Sequence, residues 1–237
     1  EEVIDQLTTI IPITTKDRKR FRKLMEESKG FESLPILTRL TDEEVARFSV
    51  HQFRFPGVEV KARLYRNYPY GELASHVIGY IGRINETEKN ELKNSDDEGN
   101  YRGTEYIGKL GIEQAYEHLL HGITGVEELE TSAGGRAVRL LNSNPATPGA
   151  TIQLSIDIKL QYLIETMYGN RRGALVAFNP KNGEILALVS KPTFDPNLFV
   201  EGIDSENWKA LNHSIDKPLL NRAIRGTYPP GSTYKPF

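Results

Sequence analysis

The residues best suited to chemistry lie in GTYPPGSTYKPF, Gly226 to Phe237, where Ser232 and Lys235 stand three apart. A serine alcohol is a poor nucleophile until a base takes its proton, and a lysine serves only where burial or a neighbouring cation favours its neutral form. On a helix a spacing of three puts both side chains on one face, within reach of each other. Pro229-Pro230-Gly231 makes an abrupt turn and predicts Ser232 at the start of a helix, where free amides and the positive dipole end favour developing negative charge. Pro236 is tolerable there, because first-turn amides lack an intrahelical acceptor. The pattern is short, and two common residues at one spacing recur by chance about once per few hundred residues. Ser214-Ile215-Asp216-Lys217 matches too and is also followed by proline. On local chemistry, a serine-capped helix with a surface lysine stands beside the catalytic reading.

Other candidates have simpler explanations. His118 and His121 are three apart, but no carboxylate-bearing partner motif such as H-E-x-x-H accompanies them. Gly134-Gly135 lacks the lysine and following helix of a phosphate loop, and reads as a hairpin turn. The Arg/Lys run in TTKDRKRFRKLMEES is followed by Glu26 and Glu27 and reads as a solvated helix face rather than a nucleic-acid patch. The chain of 237 residues is 38% hydrophobic and 26% charged, ordinary globular material for one large domain or two small ones. A net charge of -2 gives no global field for nucleic acid or membrane. The absence of cysteine excludes disulfides and thiolate metal sites, and no run approaches the roughly 18 apolar residues that span a bilayer.

Thr15 is placed as the N-cap of a first helix with Phe21, Leu24 and Met25 as its apolar stripe, ended by Gly30. TDEEVARF opens with a capping box, Thr41 with Glu44, and Val45, Phe48 and Phe53 give its inner face. VEVKARLYRNYPY alternates as a strand with Val58, Val60, Ala62 and Leu64 on one side. LASHVIGYIGRI reads as a packed segment whose Gly79 and Gly82 permit close backbone approach. Asn85 caps a short helix. GKLGIEQAYEHLLHGITG predicts one helix with Ile112, Ala115, Tyr116, Leu119 and Leu120 inward and Gly122 as its stop. A hairpin follows, Val126 and Leu129 opposite Val138 and Leu140. NSNPATPG, Asn142 to Gly149, is the best domain boundary.

Beyond it TIQLSID reads as a strand, and Asp157 caps a helix carrying Leu160, Leu163, Ile164 and Met167. GALVAFNP and GEILALVS are strong apolar strands around NPKNG, expected to be buried on both faces in a layered α/β sheet. Trp208 and Leu211 fall on a short helix before the Ser232 motif.

The ordered set FRFPGVEV, YPYGELASHVIGYIGRI, GKLGIEQAYEHLLHGITG, GALVAFNPKNGEILALVS, PNLFVEGI and LLNRAIRGTYPPGSTYKPF closely resembles class B penicillin-binding proteins, within them the elongation-specific branch. The S-x-x-K serine is a signature of that family. The resemblance covers about Phe21 to Phe237. It implies an α+β chain: an elongated non-catalytic pedestal over residues 1–148, then the first part of an α/β transpeptidase domain over 149–237. It further implies a serine-type peptidoglycan D,D-transpeptidase and β-lactam target, with Ser232 as nucleophile, Lys235 as general base and no cofactor. The implied partners are peptidoglycan stem peptides, a SEDS-type glycosyltransferase and an MreC-like scaffold, with no nucleic acid. The implied setting is the periplasm, anchored in the inner membrane by a helix upstream of Glu1. The family's S-x-N and K-[ST]-G motifs follow S-x-x-K and do not occur after Ser232 here, so this stretch alone is expected to be inactive, with a bare sheet edge. Ser205-Glu206-Asn207 and Lys181-Asn182-Gly183 precede Ser232 and read instead as a helix cap and a hairpin turn. The alternative reading is a pedestal module that docks membrane partners of the elongation machinery.

Overall fold

The computed structural model describes residues 2–27, 34–62, 64–131, 137–200 and 202–235. In chain order they form α1 (Glu2–Leu7), α2 (Thr15–Glu27), α3 (Asp42–His51), α4 (Ser75–Ile78), β1 (Ile81–Arg83), α5 (Glu86–Lys93), α6 (Glu98–Tyr101) and β2 (Tyr106–Gly108). There follow α7 (Gly111–Ala115), α8 (Glu117–Leu120), β3 (Val126–Thr131), β4 (Ala137–Asn144), α9 (Ile158–Tyr168), β5 (Gly173–Phe178), β6 (Ile185–Lys191), α10 (Ser205–Asn212) and α11 (Arg222–Arg225). Short 3-10 turns occupy Gln52–Arg54, Pro196–Phe199 and Gly231–Tyr234. The strands pair as β1-β2, β3-β4 and β5-β6. No helix among the described residues is long and apolar enough to cross a membrane.

Two compact units emerge, and they do not follow a single cut along the chain: Glu1–Leu64 joins Glu128–Asn142, and Tyr65–Glu127 joins Ser143–Phe237. In the first unit Ile4, Leu7, Ile11, Ile13, Phe48 and Phe55 form the core, with Phe21 and Val58 partly buried against it. Each large side chain there contributes about 1.5–3 kcal/mol by leaving water. The Thr41–Glu44 capping box forms as expected at α3. At α2 the cap lies one residue earlier than expected: Thr14, not Thr15, exchanges hydrogen bonds with Asp17. Phe53 is 83% exposed and Phe55 takes the core position, because the helix tightens into a 3-10 turn at Gln52 and rotates the face. No strand forms over 58–62, and Leu64 is wholly exposed; an alternating pattern without a neighbouring strand finds no ladder to join. The expected turns at Gly30 and Gly134-Gly135 lie outside the described residues.

In the second unit β1 and β2 pair antiparallel, Ile81 opposite Gly108. Gly79 shows why the glycine is needed: its φ is +80°, and a Cβ there would sit 1.8 Å from the Leu110 carbonyl oxygen. Asn85 caps α5 with a reciprocal Glu88 bond. The helix expected over 111–121 is broken at Tyr116, and its buried residue is Glu113, while Tyr116 and Leu119 are exposed. Satisfied polar partners decided that rotation. β5 and β6 form an antiparallel hairpin closed at NPKNG by Asn179 N–H to Glu184 O at 2.8 Å. Burial on both faces is reached only by β6, at Ala187, Val189 and Ser190; Val176 and Phe178 of β5 are exposed.

Residues 151–157 form no strand but cover the outer edge of β6, with Ser155 Oγ donating to Ile185 O at 2.8 Å and Asp157 N–H to Leu186 O at 2.9 Å. Asp157 caps α9 as expected, yet the helix buries Gln161 rather than Leu163 or Met167. The Gln161 amide supplies the missing ladder, accepting from Leu188 N–H and donating to Leu188 O, both at 2.9 Å. The edge of β6 is therefore not bare. Trp208 and Leu211 lie on α10, whose cap is Asp204 instead of Ser205.

Candidate active site

Ser232 and Lys235 lie on the 3-10 turn Gly231–Tyr234 and its C-terminal residue, where an α-helix start was expected. In a 3-10 helix side chains three apart eclipse, so the turn keeps both on one side. Its bonds are Thr233 N–H to Pro230 O and Lys235 N–H to Ser232 O, each 3.3 Å. Gly231 enters with φ +56°, a conformation that costs an L side chain about 1–2 kcal/mol, so Pro-Pro-Gly is the feature that sets the turn. Ser232 and Lys235 are both exposed, and among the described residues their side chains share no hydrogen bond. Pro236 lies outside the described residues. The twin, Ser214 to Lys217, is a tight turn in which Lys217 N–H bonds Ser214 O at 3.0 Å and Ser214 Oγ accepts from Asp216 N–H at 3.2 Å.

Ahead of the turn, a polar clasp holds the chain against β6. Ser190 Oγ donates to Leu220 O at 3.1 Å and accepts from Arg222 N–H at 2.9 Å. The Arg222 side chain is buried and donates to the carbonyls of Lys217, at 3.1 Å, and Asp216. Asn221 Nδ2 donates to His76 O at 3.2 Å. His76 packs edge-on to Phe194, and burial holds its imidazole below the ordinary pKa of 6.5.

A second network joins Tyr65–Glu127 to the residues around 197. Asn197 pairs with both backbone groups of Tyr68, accepting from its N–H at 3.0 Å and donating to its carbonyl at 2.9 Å. Tyr68 OH donates to Glu113 Oε1 at 3.1 Å and accepts from Ile81 N–H at 3.0 Å. Arg66 grips the same carboxylate, Nε at 2.9 Å and Nη2 at 3.0 Å. Desolvation raises the Glu113 pKa, partly offset by the Arg66 charge. Thr193 and Glu165 tie in alongside: Thr193 Oγ1 bonds Ser75 Oγ and Glu72 O, and Glu165 Oε1 accepts from Ala74 N–H at 2.9 Å. Sequence reasoning gave none of these residues a role in such a network. Their only signal was a polar side chain inside an apolar block, as with Ser190 in ILALVSK and Arg222 in LLNRAIRG.

Residues 1–154 match the penicillin-binding protein dimerisation domain, and 173–237 match the penicillin-binding protein transpeptidase domain. The chain belongs to the penicillin-binding proteins. The Ser232 motif of this penicillin-binding protein therefore falls in its transpeptidase portion, which follows a dimerisation domain in an α+β chain. The chain is 47% identical, over all of its length and 37% of the relative's, to the peptidoglycan D,D-transpeptidase MrdA of Escherichia coli K12. It resembles Pseudomonas aeruginosa PBP2 solved in complex with WCK 5153: TM-score 0.61, 46% identity, 75% of this chain and 35% of that one. It also resembles Helicobacter pylori PBP2 solved in complex with MreC: TM-score 0.75, 28% identity, 93% of this chain and 40% of that one. The similarity is thus to the PBP2 branch. This chain spans little more than a third of the length of these relatives.

Proposed function

We propose that the gene product carrying this chain is a peptidoglycan D,D-transpeptidase of cell-wall elongation, with Ser232 as its acylated serine and Lys235 as its general base. One observation carries the reading: Ser232-Thr233-Tyr234-Lys235 lies inside the transpeptidase match, in a chain 47% identical throughout to a peptidoglycan D,D-transpeptidase. Ser232 Oγ attacks the carbonyl carbon of the penultimate D-Ala of a stem peptide while Lys235 takes the hydroxyl proton. That proton passes to the departing D-Ala amine, leaving an ester on Ser232. The amine of a neighbouring stem then attacks the ester, forms the crosslink and restores the serine. The Ser232 amide supplies one arm of the oxyanion hole. A β-lactam opens its ring on the same oxygen.

In this reading residues 1–148 serve as the pedestal and 149–237 begin the transpeptidase domain. The second and third motifs, S-x-N and K-[ST]-G, lie downstream of Phe237 and enclose the lysine. The enzyme works on the periplasmic side of the inner membrane, held by an upstream helix. A second reading, the pedestal as a docking module, is favoured by the MreC complex of the H. pylori relative. It adds an MreC-like scaffold and a SEDS-type glycosyltransferase as partners. A fluorescent penicillin tests the catalytic reading: the gene product should be labelled covalently, and Ser232→Ala should abolish the label. Unchanged labelling in Ser232→Ala sinks the assignment. Lys235→Ala should slow acylation at least a hundredfold while leaving noncovalent binding of the drug.

A further inference from the structure

Resting on Ser232 as the acylated serine, we infer that Ser190 and Arg222 are positioning residues that fix the path of the chain from β6 to the nucleophile turn. Arg222 precedes Ser232 by ten residues, and the five between α11 and Gly231 carry no regular structure. Among the described residues, the Arg222 N–H bond to Ser190 Oγ is the last hydrogen bond between the chain and β6 before Ser232. Ser190 is 4% exposed, and its hydroxyl serves both sides of Asn221 at once, through Leu220 O and Arg222 N–H. α11 carries that anchor forward one turn, with Gly226 N–H on Arg222 O at 3.1 Å. Pro229 and Pro230 then stiffen the rest of the path.

The Arg222 side chain secures the other flank. Its guanidinium, in a residue 8% exposed, spans the Asp216 and Lys217 carbonyls and folds the preceding turn back onto α11. Lys217 is held there at φ 43°, left-handed for a non-glycine residue. The Asp216 carboxylate is engaged by Arg172 at 3.3 Å, and among the described residues the Arg222 guanidinium bonds backbone carbonyls. A buried cation is a poor way to gain stability, since an apolar side chain of similar volume often does as well. Its gain is geometric: two carbonyls and one hydroxyl meet around a single residue and hold the chain on its path toward Ser232. Displacing a nucleophile by about 1 Å costs on the order of a hundredfold in rate, so loosening this path should slow chemistry rather than drug binding.

The test resolves fluorescent-penicillin acylation of the gene product into a noncovalent dissociation constant and a first-order acylation rate. Ser190→Ala is expected to lower the acylation rate about tenfold with the dissociation constant within twofold. Ser190→Thr, which keeps the hydroxyl, should restore the rate to within about threefold of wild type. Arg222→Lys, which keeps the charge and the Ser190 bond but loses the fork, gives an independent reading and should slow acylation about threefold or more. Covalent labelling of the wild type with unchanged acylation rates in Ser190→Ala and Arg222→Lys overturns this inference alone. So does a loss that appears only in the dissociation constant or only in the folded fraction. No labelling of the wild type overturns the transpeptidase reading itself.

Discussion

Glu113→Ala should destabilise the second unit by about 2–3 kcal/mol, although the residue lies on no interface the sequence announced. Glu113 is 4% exposed and accepts from two residues, Arg66 and Tyr68. Removing its carboxylate leaves the Tyr68 hydroxyl proton without an acceptor in a residue 6% exposed, a penalty of about 1–3 kcal/mol. Arg66 is different: its side chain is 37% exposed and can return to water, so its lost pair counts for less than about 1 kcal/mol. The lost methylene adds about 0.8 kcal/mol, and relief of the carboxylate's own desolvation offsets part of the loss. Glu113→Gln keeps an acceptor for Tyr68 and should cost only about 1 kcal/mol. Trp208, the chain's one tryptophan, lies in the same unit and makes urea unfolding by fluorescence a direct assay. A double-mutant cycle with Tyr68→Phe should give a coupling of about 1 kcal/mol. Equal losses for the alanine and glutamine variants, with no coupling to Tyr68, would refute the reasoning.

Gly79→Ala should cost about 3 kcal/mol or more and lower the thermal midpoint, because both the φ of +80° and the 1.8 Å approach to Leu110 O exclude a Cβ; a neutral result removes the close-approach argument. Gln161→Leu, similar in volume, should lose about 2–3 kcal/mol in urea unfolding by stripping both backbone bonds from Leu188, and added aggregation would report the exposed edge of β6. Acid should act oppositely on the half-buried His76 and the buried Glu113. The folded-state pKa of His76 lies below 6.5, so its contribution is whole above that pH and is lost as pH falls through the folded value; His76→Gln should flatten that part of the stability profile. The folded-state pKa of Glu113 lies above 4.5, so stability from this group is fullest below 4.5 and is lost as pH rises through the folded value; Glu113→Gln should remove that slope.

The sequence by itself determined the elements whose causes are local. The Thr41–Glu44 and Asn85–Glu88 boxes, the Asp157 cap and the NPKNG turn are bonds across two to five residues, so composition at fixed spacing specifies them. Pro-Pro-Gly likewise dictated a sharp turn before Ser232, and long apolar blocks dictated β5 and β6. Tertiary structure decided which side of each element faces inward. Arg66 and Glu113 are 47 residues apart, Tyr68 and Asn197 are 129 apart, and Ser190 and Arg222 are 32 apart. Hydrophobic periodicity scored Tyr116, Leu119, Leu163 and Met167 as inward, yet they are exposed, while Glu113 and Gln161 are buried. A buried polar side chain is favourable only when its partner is in place, and no single stretch of sequence contains both. The same reason hid the clasp at Arg222: Ser190 and Arg222 stand 32 residues apart, and only the folded chain brings them together.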